Sequence, residues 1–280
     1  MPATYAHWRF GEDCFQIMPE DIKKIVNDNR DIFNLGVHGP DIFFYDLTHK
    51  KITSYGSKMH KLPAMDFFKN SKEVINNHEE KEQMLAYMLG FLSHFTLDST
   101  CHSYVERKRE FANISHNFVE SAWERHVIEL DGRTPNLVDR AESLRPNKDI
   151  AKVISYFFPF SQKEILRTTK CQHNIIYMLN CISFRKDKFL RTLLKTIGLS
   201  DFADLLIGFE EVEICKDSNL RLDKLRKKAL KQYEKLLNNY IAYLKEDKKL
   251  ITYFNKTFDR DENYQDIQVL SYEEELKYKV

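Results

Sequence analysis

The chain has little of what builds turn-rich, disulfide-bonded or membrane-spanning proteins. It contains only 8 Gly and 7 Pro in 280 residues, and this scarcity favours long helices over β-structure. No stretch approaches the roughly 18 uninterrupted apolar residues of a membrane span. The start of the chain lacks the apolar segment of a secretory signal, so we expect a cytoplasmic protein. The cysteines agree with this expectation, because an odd number without paired spacing indicates reduced thiols: Cys14, Cys101, Cys171, Cys181 and Cys215.

The near-neutral charge of the chain argues against two classes of partner. A formal net charge of +1 gives no broad electrostatic case for binding nucleic acid or an anionic membrane. Hydrophobic residues make up 42% of the chain, which excludes disorder. We therefore predict a single all-α domain over residues 1–280.

The periodicity of apolar residues predicts where the helices lie. We expect a short acidic helix near 272–276 and longer helices over 62–76, 80–101, 113–130, 148–158, 161–182, 187–198, 200–210 and 218–246. The polar segment 46–60 is assigned no helix, and the charged segment 103–112 is predicted to be a loop.

Polar side chains at helical spacing interrupt the most apolar of these helices. His94, Asp98 and His102 are four residues apart, so they follow one face of an α-helix with Asp98 in the middle. The two histidines would lie about 12 Å apart along the axis, too far for one small ion, so two metal positions fit better. Buried imidazoles and carboxylates need partners, and a bound cation would supply them.

Further candidate ligands are concentrated in the first half of the chain. Nine of the ten histidines lie at or before His126, so residues 1–130 are predicted to hold the site and residues 131–280 to complete the core. The candidate metal ligands are His7, Asp41, His60, His94, Asp98, His102, His116 and Glu120. Nitrogen and oxygen ligands without thiolates suit catalytic zinc, and clustered zinc ions suit hydrolysis of a phosphodiester.

Two ligand sets follow from the residue types. Two His and two Asp make a closed four-ligand set: Asp41, His60, His94 and Asp98. His102, His116 and Glu120 make a three-ligand set with open positions, as catalytic zinc usually has. His7 is left over and could join Asp98 at a third ion.

The order and spacing of these residues resemble the zinc-dependent phospholipase C family, whose relatives include zinc-dependent single-strand nucleases. The similar features are an early His, a Gly-Pro-Asp, a His about twenty residues later, a helix with His-x-x-x-Asp and a further His, and a final His-x-x-x-Glu. The resemblance implies an all-helical fold, the same division of ligands over two or three zinc ions, and Asp98 as a bridge to the third. It implies a phospholipid or other phosphodiester substrate, with catalytic roles for Asp41 and Asp98.

Other functions are weighed against this one. His-Asp domain phosphohydrolases need a contiguous His-Asp dipeptide, and di-iron bundles need Glu-x-x-His pairs; neither occurs in the sequence. A nuclease or nucleotide phosphohydrolase stays an alternative, although the near-neutral charge argues against nucleic acid. A non-catalytic helical protein with a structural metal site is the other alternative.

In the secreted relatives the terminal amine is a ligand, and here the amine of Pro2, after loss of Met1, could take that role.

Overall fold

The structure is a computed structural model that describes residues 4–180, 184–196, 198, 203–208, 211–246 and 248–280. Within these ranges every regular element is a helix, which confirms the predicted all-α class. The α-helices are α1 (Thr4–Gln16), α2 (Glu20–Asp28), α3 (Arg30–Gly36), α4 (Lys50–Lys61), α5 (Met65–Asn76), α6 (Lys81–Ala112), α7 (His116–Leu130), α8 (Lys148–Ser155), α9 (Gln162–Asn180), α10 (Phe184–Thr196), α11 (Lys216–Glu246) and α12 (Tyr272–Lys277). A 3-10 helix, Gly39–Tyr45, joins α3 to the segment before α4.

Helix α6 is the centre of the fold. Its 32 residues make it about 48 Å long, and its middle, from Met84 to Ser99, is buried on nearly every side. A helix that is apolar all round belongs in a core, and α6 packs against α1, α2, α3, α7 and α11. The backbones of α3 and α6 come close because both carry glycine at the contact: a Cβ on Gly36 would lie 2.3 Å from the carbonyl oxygen of Tyr87.

Most helices begin and end within a few residues of their predicted bounds, but three segments differ. Residues 103–112 continue α6 instead of forming a loop, and residues 50–61 form α4, although the sequence pattern of 46–60 predicts no helix. The predicted helix over 200–210 is wrong for residues 204–208, which form turns and irregular backbone, whereas Ala203 is helical; residues 200–202, 209 and 210 lie outside the described residues. No helix of the described ranges combines the length and the apolar character needed to cross a bilayer.

Candidate metal centre

Helix α6 places His94, Asp98 and His102 on one buried face, as their spacing predicts. Asp98 is 2% exposed and lies between the two histidines. Its Oδ2 is 2.9 Å from Nε2 of His94, and its Oδ1 is 3.6 Å from Nε2 of His102. One carboxylate therefore contacts both imidazoles, one with each oxygen.

Two other elements bring His7 and Asp41 to the first of these imidazoles. From α1, His7 stacks on the ring of His94 with 4.5 Å between centroids, and its Nε2 is 3.3 Å from Asp98 Oδ1. From the 3-10 helix, Asp41 Oδ2 is 3.7 Å from Nε2 of His94. The turn that delivers Asp41 needs glycine at position 39, where φ is +48° and a Cβ would meet the His94 ring at 2.3 Å. His7, Asp41, His94 and Asp98 thus form one compact group whose ligand atoms all lie within 4.8 Å of one another.

His60 borders this group from the C-terminal end of α4. Its Nε2 is 2.9 Å from Asp41 Oδ1 and 4.0 Å from Asp98 Oδ2. The sequence assigned His60 to the closed set and left His7 over, whereas the compact group contains His7 and has His60 at its edge.

A second group forms where α7 crosses α6. Nε2 of His102 and Nε2 of His116 lie 3.3 and 3.1 Å from the same oxygen, Oε1 of Glu120. These three residues offer ligand atoms within 4.8 Å of one another, which is the predicted three-ligand set. Seven of the eight candidate residues therefore form two adjoining groups, and His60 lies at the edge of the first. That they bind zinc stays a prediction.

The contacts of Nδ1 in four imidazoles show that Nδ1 carries the proton and that Nε2 is the nitrogen free to bind a cation. Nδ1 contacts an acceptor in each case: a backbone carbonyl oxygen for His60, His94 and His102, at 2.8, 3.3 and 2.6 Å, and a Glu106 carboxylate oxygen for His116, at 2.6 Å. A carbonyl or carboxylate oxygen only accepts, so Nδ1 carries the proton and donates. The lone pair of a neutral ring then sits on Nε2, which faces a carboxylate, and a cation must lie between them.

Protons or metal ions can supply that positive charge, and the geometry fits metal ions. His94 Nε2 and Asp98 Oδ2 approach to 2.9 Å without hydrogen-bond geometry, and both atoms are buried without any hydrogen-bond partner. Nδ1 of His7 is likewise unpartnered. Orphaned buried polar atoms are costly, and coordination would satisfy those that point into the group. The Nδ1 contacts match the usual arrangement of metal-binding histidines, whose second nitrogen donates to a carbonyl or carboxylate.

The electrostatics of the two groups favour cations. Burial alone would raise the pKa of Asp98 and of Glu120, but the imidazoles around them hold both well below their usual values, so both carboxylates are ionised. Burial lowers the pKa of His102, yet Asp98 and Glu120 outweigh it and raise that pKa to about 10. The site therefore holds fixed negative charge that attracts protons or metal ions in a buried setting.

A cleft of about 600 Å³ opens over these groups. Five of the eight predicted residues line it: Asp41, His60, His102, His116 and Glu120. Asp41 is the member of the compact group that reaches the cleft, so it is the carboxylate of that group that a substrate can meet. The cleft is also lined by polar residues such as Ser57, Asn117 and Arg260.

Glu106 is a site residue that sequence reasoning missed. It holds His116 Nδ1, and its other oxygen accepts from Arg109 and Arg260 at 2.9 and 2.8 Å. Burial alone would raise the pKa of Glu106, but the opposing effects of His116 and Arg109 are larger and lower that pKa to about 2. The signal was present, because Glu106 is the next step of four after His102, but it fell in the segment predicted as a loop.

His38 is a second residue without a predicted role. It is fully buried, and neither ring nitrogen has a hydrogen-bond partner. Burial and the neighbouring His7 and His94 lower its pKa to about 3, so its ring is neutral.

The terminal-amine ligand proposed for Pro2 lies outside the described residues.

Comparison with known proteins identifies the family. A family model described as zinc dependent phospholipase C matches residues 6–156, which contain every residue of both groups. The chain belongs to the zinc-dependent phospholipase C family. It is thus a member of a family of zinc-dependent hydrolases that act on phospholipids. The comparisons with curated proteins and with solved structures found no match for this chain.

Proposed function

We propose that this protein hydrolyses the phosphodiester bond between diacylglycerol and the head group of a phospholipid, using two or three zinc ions. The compact group would hold one or two ions, with His60 at the edge of that group as a further ligand. The second group, His102 with His116 and Glu120, would hold another. Asp98 would be shared, because its two oxygens face the two groups.

The observation that carries the proposal is the shared cleft. Two nitrogen-and-oxygen ligand groups adjoin each other through Asp98 and are both reached from one opening. Adjacent ions suit an in-line displacement at phosphorus, because both the attacking and the leaving oxygen need stabilisation. When bound there, zinc supplies Lewis acidity that lowers the pKa of water and neutralises phosphate charge.

Asp41 is the residue placed to accept a proton. One of its oxygens is 2.9 Å from His60 Nε2, and the side chain lines the cleft. Burial raises the pKa of Asp41, but His94 and His60 outweigh it and hold that pKa below its usual value, so the carboxylate is ionised and can accept. In the reaction water attacks phosphorus, the bond from phosphorus to the glycerol oxygen breaks, and that oxygen takes a proton. The products are diacylglycerol and the phosphorylated head group.

Metal content and activity test this proposal together. Elemental analysis of the purified protein should find two or three zinc ions per chain. The zinc-loaded protein should hydrolyse bis(p-nitrophenyl) phosphate and should release diacylglycerol from short-chain phosphatidylcholine. Chelation should stop both reactions, zinc should restore them, and the melting temperature should fall on chelation because the ions bind only the folded chain. The proposal would be contradicted if the purified protein contained no metal and its melting temperature did not change when a chelator was added.

A further inference from the structure

The near-zero net charge of the chain hides a strongly cationic segment. Between Asp46 and Asp66 there are four lysines and no acidic residue. The whole chain, by contrast, has 43 basic and 42 acidic residues. The positive charge of this segment is therefore a local feature, and the charge of the whole chain says nothing about what it contacts.

The fold exposes this charge on one face of α4. Lys50, Lys51, Lys58 and Lys61 are all exposed, while Ile52, Gly56, Met59 and His60 are buried. Positions 50, 51, 54, 58 and 61 follow the helical repeat, so the lysines and Ser54 form one continuous stripe. Glu164 is an acidic neighbour of this stripe: hydrogen bonds with Ser161 lower the pKa of Glu164 most, and the charge of Lys51 lowers it a little more.

This stripe borders the opening of the metal-site cleft. Thr53, Ser57, His60 and Lys61 belong to α4 and line the cleft. At the two ends of the helix lie exposed apolar residues: Leu47 is 56% exposed and Leu62 is 48% exposed. We name the six exposed residues Leu47, Lys50, Lys51, Lys58, Lys61 and Leu62 the lysine rim.

We propose that the lysine rim docks the protein on an anionic phospholipid surface and so brings the cleft to its substrate. The inference rests on the proposed function, because it assumes that the substrate lies in a membrane. Lysines near an anionic bilayer are attracted electrostatically, and exposed leucines beside them can enter the interface. The continuity of the rim with the cleft favours a lipid surface over other acidic partners.

The other lysine-rich surface of the molecule differs from the rim and provides a control. On α11, Lys228, Lys231 and Lys235 are exposed, but that helix also carries acidic residues. Lys227, for example, is 2.9 Å from Asp223. These lysines do not line the cleft. Their removal changes the net charge as much as removal of three rim lysines does.

The experiment compares two triple variants of the zinc-loaded protein. The rim variant carries Lys50→Ala, Lys51→Ala and Lys58→Ala, and leaves out the residues that line the cleft. The control variant carries Lys228→Ala, Lys231→Ala and Lys235→Ala. Binding is measured by sedimentation with vesicles of phosphatidylcholine containing phosphatidylserine, with vesicles of phosphatidylcholine alone, and at rising salt concentration.

We expect the wild type and the control variant to bind the phosphatidylserine vesicles alike, and the rim variant to bind them more weakly by on the order of 100-fold. Salt should weaken the wild type toward the rim variant. Hydrolysis of soluble bis(p-nitrophenyl) phosphate should be equal in all three proteins. Equal binding by the rim variant and the wild type, an equal loss in the control, or no preference for phosphatidylserine would overturn the inference.

The two proposals fail in different ways. Vesicle binding is measured without turnover, so it tests the rim even if no phosphodiester is hydrolysed. If the zinc-loaded wild type does not hydrolyse the soluble substrate, the proposed function is contradicted and the proposal for the lysine rim is not. Intact hydrolysis together with unselective vesicle binding contradicts the rim alone.

Discussion

Two regions of this molecule neutralise their buried carboxylates in different ways. In the candidate metal centre Asp41, Asp98 and Glu120 face imidazoles. Where α11 packs on the rest of the chain, Glu275 instead faces Arg221, with Nε to Oε2 at 3.0 Å, and Asp217 faces Lys108 at 2.7 Å. Both regions are buried, so burial alone does not tell a site from a structural contact.

The difference lies in the kind of partner. Guanidinium and ammonium groups carry a permanent charge at neutral pH, so an ion pair such as Arg221 with Glu275 is neutral without any further cation. An imidazole with its Nδ1 proton donated to a carbonyl is not complete, because its Nε2 still needs a cation between it and the carboxylate. Carboxylates that face the Nε2 of such imidazoles therefore indicate a place for an exchangeable cation, whereas carboxylates paired only with arginine or lysine indicate a fixed contact.

The largest test of this comparison is Asp98→Asn. The change removes the charge that both ligand groups share, so we expect loss of bound zinc and a fall in phosphodiester hydrolysis of more than about 100-fold, beyond what loss of a supporting residue costs. The helical content should stay, because Asn has nearly the same shape. Circular dichroism, elemental analysis and a rate measurement check this result.

His173→Ala is the control for that variant. His173 is the histidine outside the first half of the chain, and its Nδ1 contacts the Leu144 carbonyl oxygen at 2.8 Å, far from both groups in sequence. It should keep its zinc and its rate. If the Asp98 variant is as active as the wild type, Asp98 is not the zinc ligand that the two groups share.

The structural ion pair should respond in the opposite way. Arg221→Met leaves Glu275, which is fully buried, without its main partner. We expect the free energy of unfolding to fall by about 3 kcal/mol, while the folded fraction keeps its zinc and its rate. Urea unfolding followed by activity measurements below the transition checks both parts. Zinc loss by this variant while it is folded would mean that the two regions are not separable.

Glu106→Gln tests the residue that supports a ligand. Glutamine can still reach His116, but it removes the charged acceptor of the Nδ1 proton. We expect a loss of about 10- to 100-fold in zinc affinity or rate, with little change in unfolding. Glu234→Gln, at an exposed position of α11, is the matched control and should have no effect. If both variants behave alike, Glu106 is not a positioning residue.

Glu106 also explains what the sequence could and could not predict. The spacing of four residues from His94 to His102 needed only one helix, so it was predictable from local geometry. The segment after it, residues 103–112, is rich in charge, and this pattern predicts a loop. Charged residues are good helix formers, and here the buried ones have partners, such as Lys108 with Asp217. Those partners are far apart in the sequence, so no local pattern contains them.

The assignment of ligands to groups had the same limit. His7 and His60 lie on different helices, and the sequence could list both as ligands without placing them. The structure puts the ring of His7 against that of His94 and leaves His60 at the edge of the compact group. That exchange depends on how α1 packs on α6 and how α4 packs on the 3-10 helix, which are properties of the assembled core.

The smallest expected effect comes from two helix caps, one at the metal centre and one away from it. Ser115 accepts a hydrogen bond from the Phe118 backbone at the start of α7, directly before His116, and Asn147 accepts one from Ile150 at the start of α8. Replacing either by alanine should cost about 1 kcal/mol of the free energy of unfolding. Only Ser115→Ala frees the turn that carries His116, so only that variant should also bind zinc several-fold more weakly. Calorimetry and zinc titration of both variants check this. Equal zinc affinities would mean that Glu106 and Glu120 hold His116 in place without help from the helix start.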